Sequence, residues 1–182
     1  MIIRDANVED SKAIASLYNH YIRLGKWTME TDSYTVATMA SRITNLRPRE
    51  AMLVLEDQDQ INGWGTIRTY SDRAGYRFTC EIGLFIRDGL TGNGIGPLLL
   101  QAVIDRCNKI GYHHVHGKVW VNNKSSLSML SKMGFKQIGI QPQVGFRNGE
   151  WVDVMIVALV LEEVQPKTNS SPARAKMNQA SN

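Results

Sequence analysis

The residues best placed to do chemistry lie at mid-chain, in Glu81-Ile82-Gly83-Leu84-Phe85-Ile86-Arg87-Asp88-Gly89-Leu90-Thr91-Gly92-Asn93-Gly94-Ile95-Gly96-Pro97-Leu98-Leu99-Leu100. Leu84, Phe85 and Ile86 form a short apolar run of strand-forming types. Gly92, Gly94 and Gly96 are expected to take positive φ and to let the backbone approach a ligand closely. Pro97 suits the first position of a helix, where its missing N–H costs nothing. Beyond it Leu99, Val103, Cys107 and Ile110 recur at helical spacing, and Gly111 closes the helix. A glycine turn feeding a helix start gathers unpaired N–H groups at a positive dipole end, which favours a phosphate or pyrophosphate. The turn alone does not separate anion binding from plain turn chemistry. Two familiar phosphate loops do not fit: no Gly-Lys-Ser/Thr ending follows, and the third glycine of a dinucleotide fingerprint falls on Pro97.

Other reactive side chains argue against other chemistries. His114 and His116 share a face of an expected strand beside His113, but no Cys or carboxylate stands at a supporting spacing, so no metal site is expected. Cys80 and Cys107 are too few for a disulfide framework and read as thiols of a reducing cytoplasm. No His is spaced to activate either as a nucleophile. The net charge is +4, but Lys167, Arg174 and Lys176 near the C-terminus account for most of it. The remaining body carries no basic helix or aromatic-basic ladder, so no nucleic-acid partner is expected. Met1-Ile2-Ile3-Arg4-Asp5 does not open a signal peptide, and no apolar run approaches membrane-spanning length.

The elements that must carry these residues read as follows. Ile2-Ile3-Arg4 is a first strand, and Asn7 caps a helix with Ile14, Leu17, Tyr18, Tyr21 and Ile22 on one face. Residues 25–31, with Trp27, Met29 and Glu30, form a loop that is either a lid or a packed connection. A second helix follows Ser33 or Thr35, with Val36, Met39, Ala40 and Ile43 turned inward. Strands at 51–56 and 61–70 make a hairpin, 78–87 is the strand before the glycine loop, and 114–121 is the strand after its helix. Asn122 or Asn123 caps a short helix ending at Gly134, and strands at 136–140 and 151–161 are joined through Phe146-Arg147-Asn148-Gly149. The order suggests one α/β domain over 1–162 with helices around a central sheet, followed by a disordered tail at 163–182.

The loop Thr91-Gly92-Asn93-Gly94-Ile95-Gly96 resembles the Gln/Arg-x-x-Gly-x-Gly/Ala loop of the GNAT acetyltransferases. Four further segments resemble one branch, the phosphinothricin and methionine sulfoximine N-acetyltransferases. They are Leu17-Tyr18-Asn19-His20; Ala74-Gly75-Tyr76-Arg77-Phe78-Thr79-Cys80-Glu81; Asn123-Lys124-Ser125-Ser126 with Met133-Gly134-Phe135; and Val144-Gly145-Phe146-Arg147-Asn148-Gly149-Glu150-Trp151-Val152-Asp153. Five motifs in the right order are more specific than any one alone. The resemblance implies a GNAT fold: a central mixed, mostly antiparallel sheet flanked by helices. It implies acetyl-CoA as co-substrate, a small amino-acid-like amine as acceptor, direct attack without an acyl-enzyme, and a homodimer.

Carried over residue by residue, the resemblance implies that Leu84, Phe85 and Ile86 offer backbone groups to the pantetheine arm. Gly92, Asn93, Gly94, Ile95, Gly96 and Pro97 would cradle the pyrophosphate, with Asn123 and Lys132 along the arm. Glu81 would accept the amine proton through water, with a carboxyl pKa raised in a half-buried cleft; the plainer reading is a solvated glutamate or a partner of Arg77. Arg73, Tyr76, Arg77, Arg147 and Glu30 would meet the substrate, since an arginine forks onto a carboxylate. Thr91, Asn93 and Pro97 depart from the family by removing basic groups and one N–H. Leu130 replaces a candidate proton donor, and Ile82-Gly83 replaces a His-Ser pair. Trp151 and Asp153 read as packing and turn-bonding residues. The rival readings are a non-catalytic acyl-CoA-binding module and a peptide or polyamine acetyltransferase.

Overall fold

The computed structural model describes residues 1–162; the expected tail at 163–182 lies outside the described residues. The strands are β1 (Ile2–Asp5), β2 (Ala51–Asp57), β3 (Gln60–Thr69), β4 (Thr79–Ile86), β5 (His114–Trp120), β6 (Lys136–Arg147) and β7 (Glu150–Val160). The helices are α1 (Ser11–Leu24), α2 (Val36–Thr44), α3 (Ile95–Ile110) and α4 (Lys124–Lys132). The strands make one seven-stranded sheet in the order β1-β2-β3-β4-β5-β7-β6. Only β4 and β5 run parallel; every other neighbouring pair is antiparallel. A parallel pair needs a crossover, and α3 supplies it.

Alternation along the strands splits the core in two. On one face Leu53, Leu55, Cys80, Ile82, Val115 and Val157 pack with Leu99, Val103 and Cys107 of α3. On the other face Met52, Val54 and Trp64 pack with Ile14, Tyr18, Tyr21 and Met39 of α1 and α2. Phe85 joins this second cluster, stacked on Trp64 at 5.3 Å between centroids and edge-on to Tyr18 at 4.7 Å. The predicted inner face of α1 is buried throughout.

The caps explain most boundaries. Asn7 starts the first helical turn, its Oδ1 accepting from Asp10 N at 3.2 Å while Asp10 Oδ2 accepts from Asn7 N at 2.9 Å. Thr35 caps α2, Asn123 caps α4, and Gly111 ends α3 at φ 88°. Gln58 and Asp59 at φ 49° and 59° make the β2–β3 turn that the hairpin requires.

Three expectations are corrected. α3 begins at Ile95 with Gly94 as its N-cap, so Pro97 is the third helical residue, not the first. Its missing N–H is still among the first four, which have no partner inside the helix. Gly96 does not take positive φ; a Cβ there would sit 2.9 Å from Met129 Sδ, so close approach of α4 is its reason. Val36 is exposed rather than turned inward, because it opens the first turn of α2, short of Met39 and Ile43 on the packed face. In addition, β6 runs on to Arg147, past a register shift between Gln141 and Gly145.

Candidate active site

The site is built where β4 and β5 part. Their pairing runs from Thr79↔His114 to Ile82↔Gly117 and stops there, although β4 continues to Ile86 and β5 to Trp120. From Gly83 onward one edge of β4 has no strand partner, so its backbone groups can pair with an extended ligand. Leu84 packs against the α3-side cluster and Phe85 against the other, while Ile86 O accepts from Tyr21 Oη at 2.6 Å. Side chains pack, and apart from Ile86 O the free edge of the backbone remains available.

The glycine loop follows at the α3 end of this fork. Gly92 and Gly94 hold φ 89° and 78°, and a Cβ at either would enter open space rather than protein. α3 opens directly after them, and a helix start leaves its first N–H groups without partners inside the helix, with the dipole behind them. Arg87 braces the loop's entry: its Nε donates to Asn62 Oδ1 at 3.0 Å and its Nη2 to Ile61 O at 2.5 Å. Space and donors suit a pyrophosphate there.

Glu81 points away from Cys80 and Ile82, to the α1–α2 face, directly across from His116. Its Oε2 lies 2.7 Å from Lys118 Nζ and 3.5 Å from His116 Nδ1. His116 and then Lys118 hold the Glu81 carboxyl down to about 2, against the burial that pushes it up. At 3.5 Å the His116 contact makes no hydrogen bond, so the Lys118 ammonium is the firmer partner. The expected raised pKa is therefore corrected: an adjacent cation outweighs desolvation. The suggested Arg77 partnership is also corrected, since Arg77 stacks over Phe78 at 4.5 Å and donates to Ala74 O. Glu81, at no supporting spacing in the sequence, stands beside His116 in space. Even so, among the described residues no group of three or more His, Cys, Asp or Glu is placed to hold a metal ion.

The other candidate residues are spread around this centre. Arg73 and Tyr76 lie exposed on the short turn before β4, with Tyr76 edge-on to Tyr70 at 5.5 Å and Tyr70 edge-on to His116 at 5.2 Å. Glu30 accepts from Tyr34 Oη at 2.9 Å. Arg147 Nη2 donates to Ile22 O at 2.9 Å, tying β6 to the end of α1. The loop at 25–31 is held down beneath it, for a Cβ on Gly145 would strike Met29 and a Cβ on Gly25 would strike Asn148. It is a packed roof. Asn123 uses its side chain to cap α4, and Lys132 ends that helix exposed. Leu130 is buried in the core. A cavity of about 780 Å³ lies against α1 and reaches Arg87 and Asp88 at the loop's entry; there Arg4 is already paired with Asp10 and Glu56 and His20 with Asp88.

The sequence pattern of the family described as the Acetyltransferase (GNAT) domain matches residues 3–156. The chain belongs to the GNAT acetyltransferases. It is an acetyl-CoA-dependent N-acetyltransferase, and the non-catalytic alternative falls away. Among similar proteins, the L-methionine sulfoximine/L-methionine sulfone acetyltransferase of Pseudomonas paraeruginosa is 30% identical over 175 residues, 93% of this chain and 98% of that one. The phosphinothricin N-acetyltransferase of Alcaligenes faecalis is 30% identical over 158 residues, covering 86% and 79%. A phosphinothricin acetyltransferase from Sinorhizobium meliloti, solved with acetyl-CoA, superposes with a TM-score of 0.81 at 25% identity, covering 92% of this chain and 96% of that one. The mixed, mostly antiparallel sheet flanked by helices is the fold the sequence led us to expect. Lys118, and the pairing of His116 with Glu81, escaped sequence reading, because only the parallel register of β4 and β5 brings them together.

Proposed function

We propose that this acetyltransferase acts on the primary amine of a small amino-acid-like molecule of the methionine sulfoximine or phosphinothricin type, by direct attack with Glu81 as the base. The carrying observation is the position of Glu81 beside the last β4–β5 pair, on the face opposite the α3 cradle. An acetyl group threaded through the fork from that cradle emerges next to the carboxylate. Being ionised, Glu81 attracts the ammonium and orients it, directly or through one water, and the proton passes along that hydrogen bond toward solvent so that the neutral amine attacks the thioester carbonyl. The unpaired edge at Leu84, Phe85 and Ile86 takes the pantetheine arm, and Gly92 to Pro97 with the start of α3 takes the pyrophosphate. Asn123 and Lys132 flank the arm. Arg73, Tyr76 and Arg77 along one rim, with Glu30 and Arg147 at the roof, select the acceptor, an arginine suiting its carboxylate or phosphinate.

The same reading places the protein in the cytoplasm as a homodimer. In its favour, Cys80 and Cys107 are free thiols only 3.6 Å apart, which suits a reducing compartment. The edge strand β6 and its neighbour β7 expose Ile138, Ile140, Val144, Phe146 and Trp151 together, an apolar face of the kind a second subunit covers.

The test is thiol release from acetyl-CoA against a panel of amino acids, methionine sulfoximine, phosphinothricin, polyamines and short peptides. Turnover on an amino-acid analogue is expected, falling about a hundredfold or more in Glu81→Gln while acetyl-CoA still binds by calorimetry. Turnover confined to peptides or polyamines would overturn the substrate class, and undiminished turnover in Glu81→Gln would remove the base.

A further inference from the structure

The Lys118 ammonium is paired with Glu81, the carboxylate that the proposed mechanism assigns to the acceptor amine. It contacts Oε2 at 2.7 Å, with its side chain half exposed at 51%. Gly117 is the last β5 residue paired with β4, so Lys118 is the first beyond the point where the strands part. The α3 cradle lies on one face of the sheet and Lys118 with Glu81 on the other, so a group passing through the fork arrives beside Nζ. His116 is 8% exposed, and its Nδ1, buried without a hydrogen-bond partner, lies 3.5 Å from the same carboxylate oxygen. The other titratable or charged groups turned to this spot are His114 on the same strand, Tyr70 against the His116 ring, and Arg68, which is paired in register with Glu81 but turned to Glu50. A carboxylate, an imidazole and a primary amine therefore converge at the fork.

We propose that Lys118 is itself an acetyl acceptor, which the enzyme acetylates in cis when no small amine fills the cleft. The inference rests on the acetyltransferase reading of the site. Lys118 Nζ loses one proton to solvent by way of its contact with Glu81 Oε2, and the neutral amine forms a C–N bond to the acetyl carbonyl carbon. The thioester C–S bond breaks, and its electron pair leaves with the CoA thiolate. The second amine proton is lost to solvent, leaving a neutral Nε-acetyl-lysine. The modification removes the cation that competes with substrate for Glu81, so the carboxylate is freed.

The experiment incubates the full chain with acetyl-CoA and no added amine, then maps peptides by mass spectrometry. One acetyl group is expected on Lys118, at least about tenfold faster than on exposed Lys12 or Lys109, at a fractional rate independent of protein concentration. Glu81→Gln is expected to slow it about a hundredfold. Lys118 left bare, or acetylated no faster than those surface lysines, overturns the proposal; so does a rate that climbs with protein concentration. The lysine and concentration comparisons need no variant, so a misfolded Glu81→Gln leaves the test intact. Small amines turned over while Lys118 stays bare sinks this inference alone. Lys118 acetylated while no small amine is turned over sinks only the small-substrate reading.

Discussion

Glu81 is governed by its neighbours rather than by its burial, and that has a sign in pH. Its ordinary value is 4.5, and His116 with Lys118 lower it to about 2 in the folded protein. The unfolded chain therefore binds more protons between those values. The stabilisation from the cluster is complete above the unfolded value and is lost as pH falls through the folded one. Wild type is expected to melt above Glu81→Gln at neutral pH, with the gap closing as the medium is acidified toward the acid limit of the folded state. A gap that does not change with pH, followed by circular dichroism, would refute the pairing. At this scale the sequence was least informative. Glu81 could be singled out through a family resemblance, whereas its partners lie on another strand and depend on a register that no local pattern encodes.

Single elements were easier to read, because their signals are local. Asn7, Thr35, Asn123 and Gly111 each mark a helix boundary by their own side chain or lack of one. The exceptions were set by tertiary contact: the start of α3 depends on Gly94 and on α4 packing against Gly96. The entry to α1 shows how much one residue can carry. Asp10 accepts from Asn7 N and takes a forked pair of bonds from Arg4 at 2.7 and 2.9 Å, while Arg4 also reaches Glu56 on β2. Asp10→Ala is expected to cost about 2–3 kcal/mol, since it removes a cap and charge-assisted bonds together. Urea denaturation checks this, and a loss below about 0.5 kcal/mol would mean that Arg4 repairs itself with Glu56 alone.

The whole molecule places its chemistry and its apolar surface on different parts of one sheet. Trp151 and Phe146 form an edge-on pair at 5.0 Å, with 64% and 56% of their surface exposed. Asp153 beside them is spent on the β6 bulge, its Oδ1 accepting from Gln143 N at 2.7 Å. Sedimentation is expected to find a dimer that Phe146→Ser with Trp151→Glu reduces to monomer with the melting temperature little changed. A wild type that sediments as a monomer would leave that face without its assigned cover. The sheet has one further consequence. β1 to β4 are stitched to each other by antiparallel ladders, and so are β5 to β7, but the two sets meet along only four residue pairs. The protein is in effect two stiff plates sharing a short seam. Any flexing between the plates changes the width of the gap just beyond it, so mechanical compliance is concentrated at the fork, the place the proposed mechanism gives to the thioester.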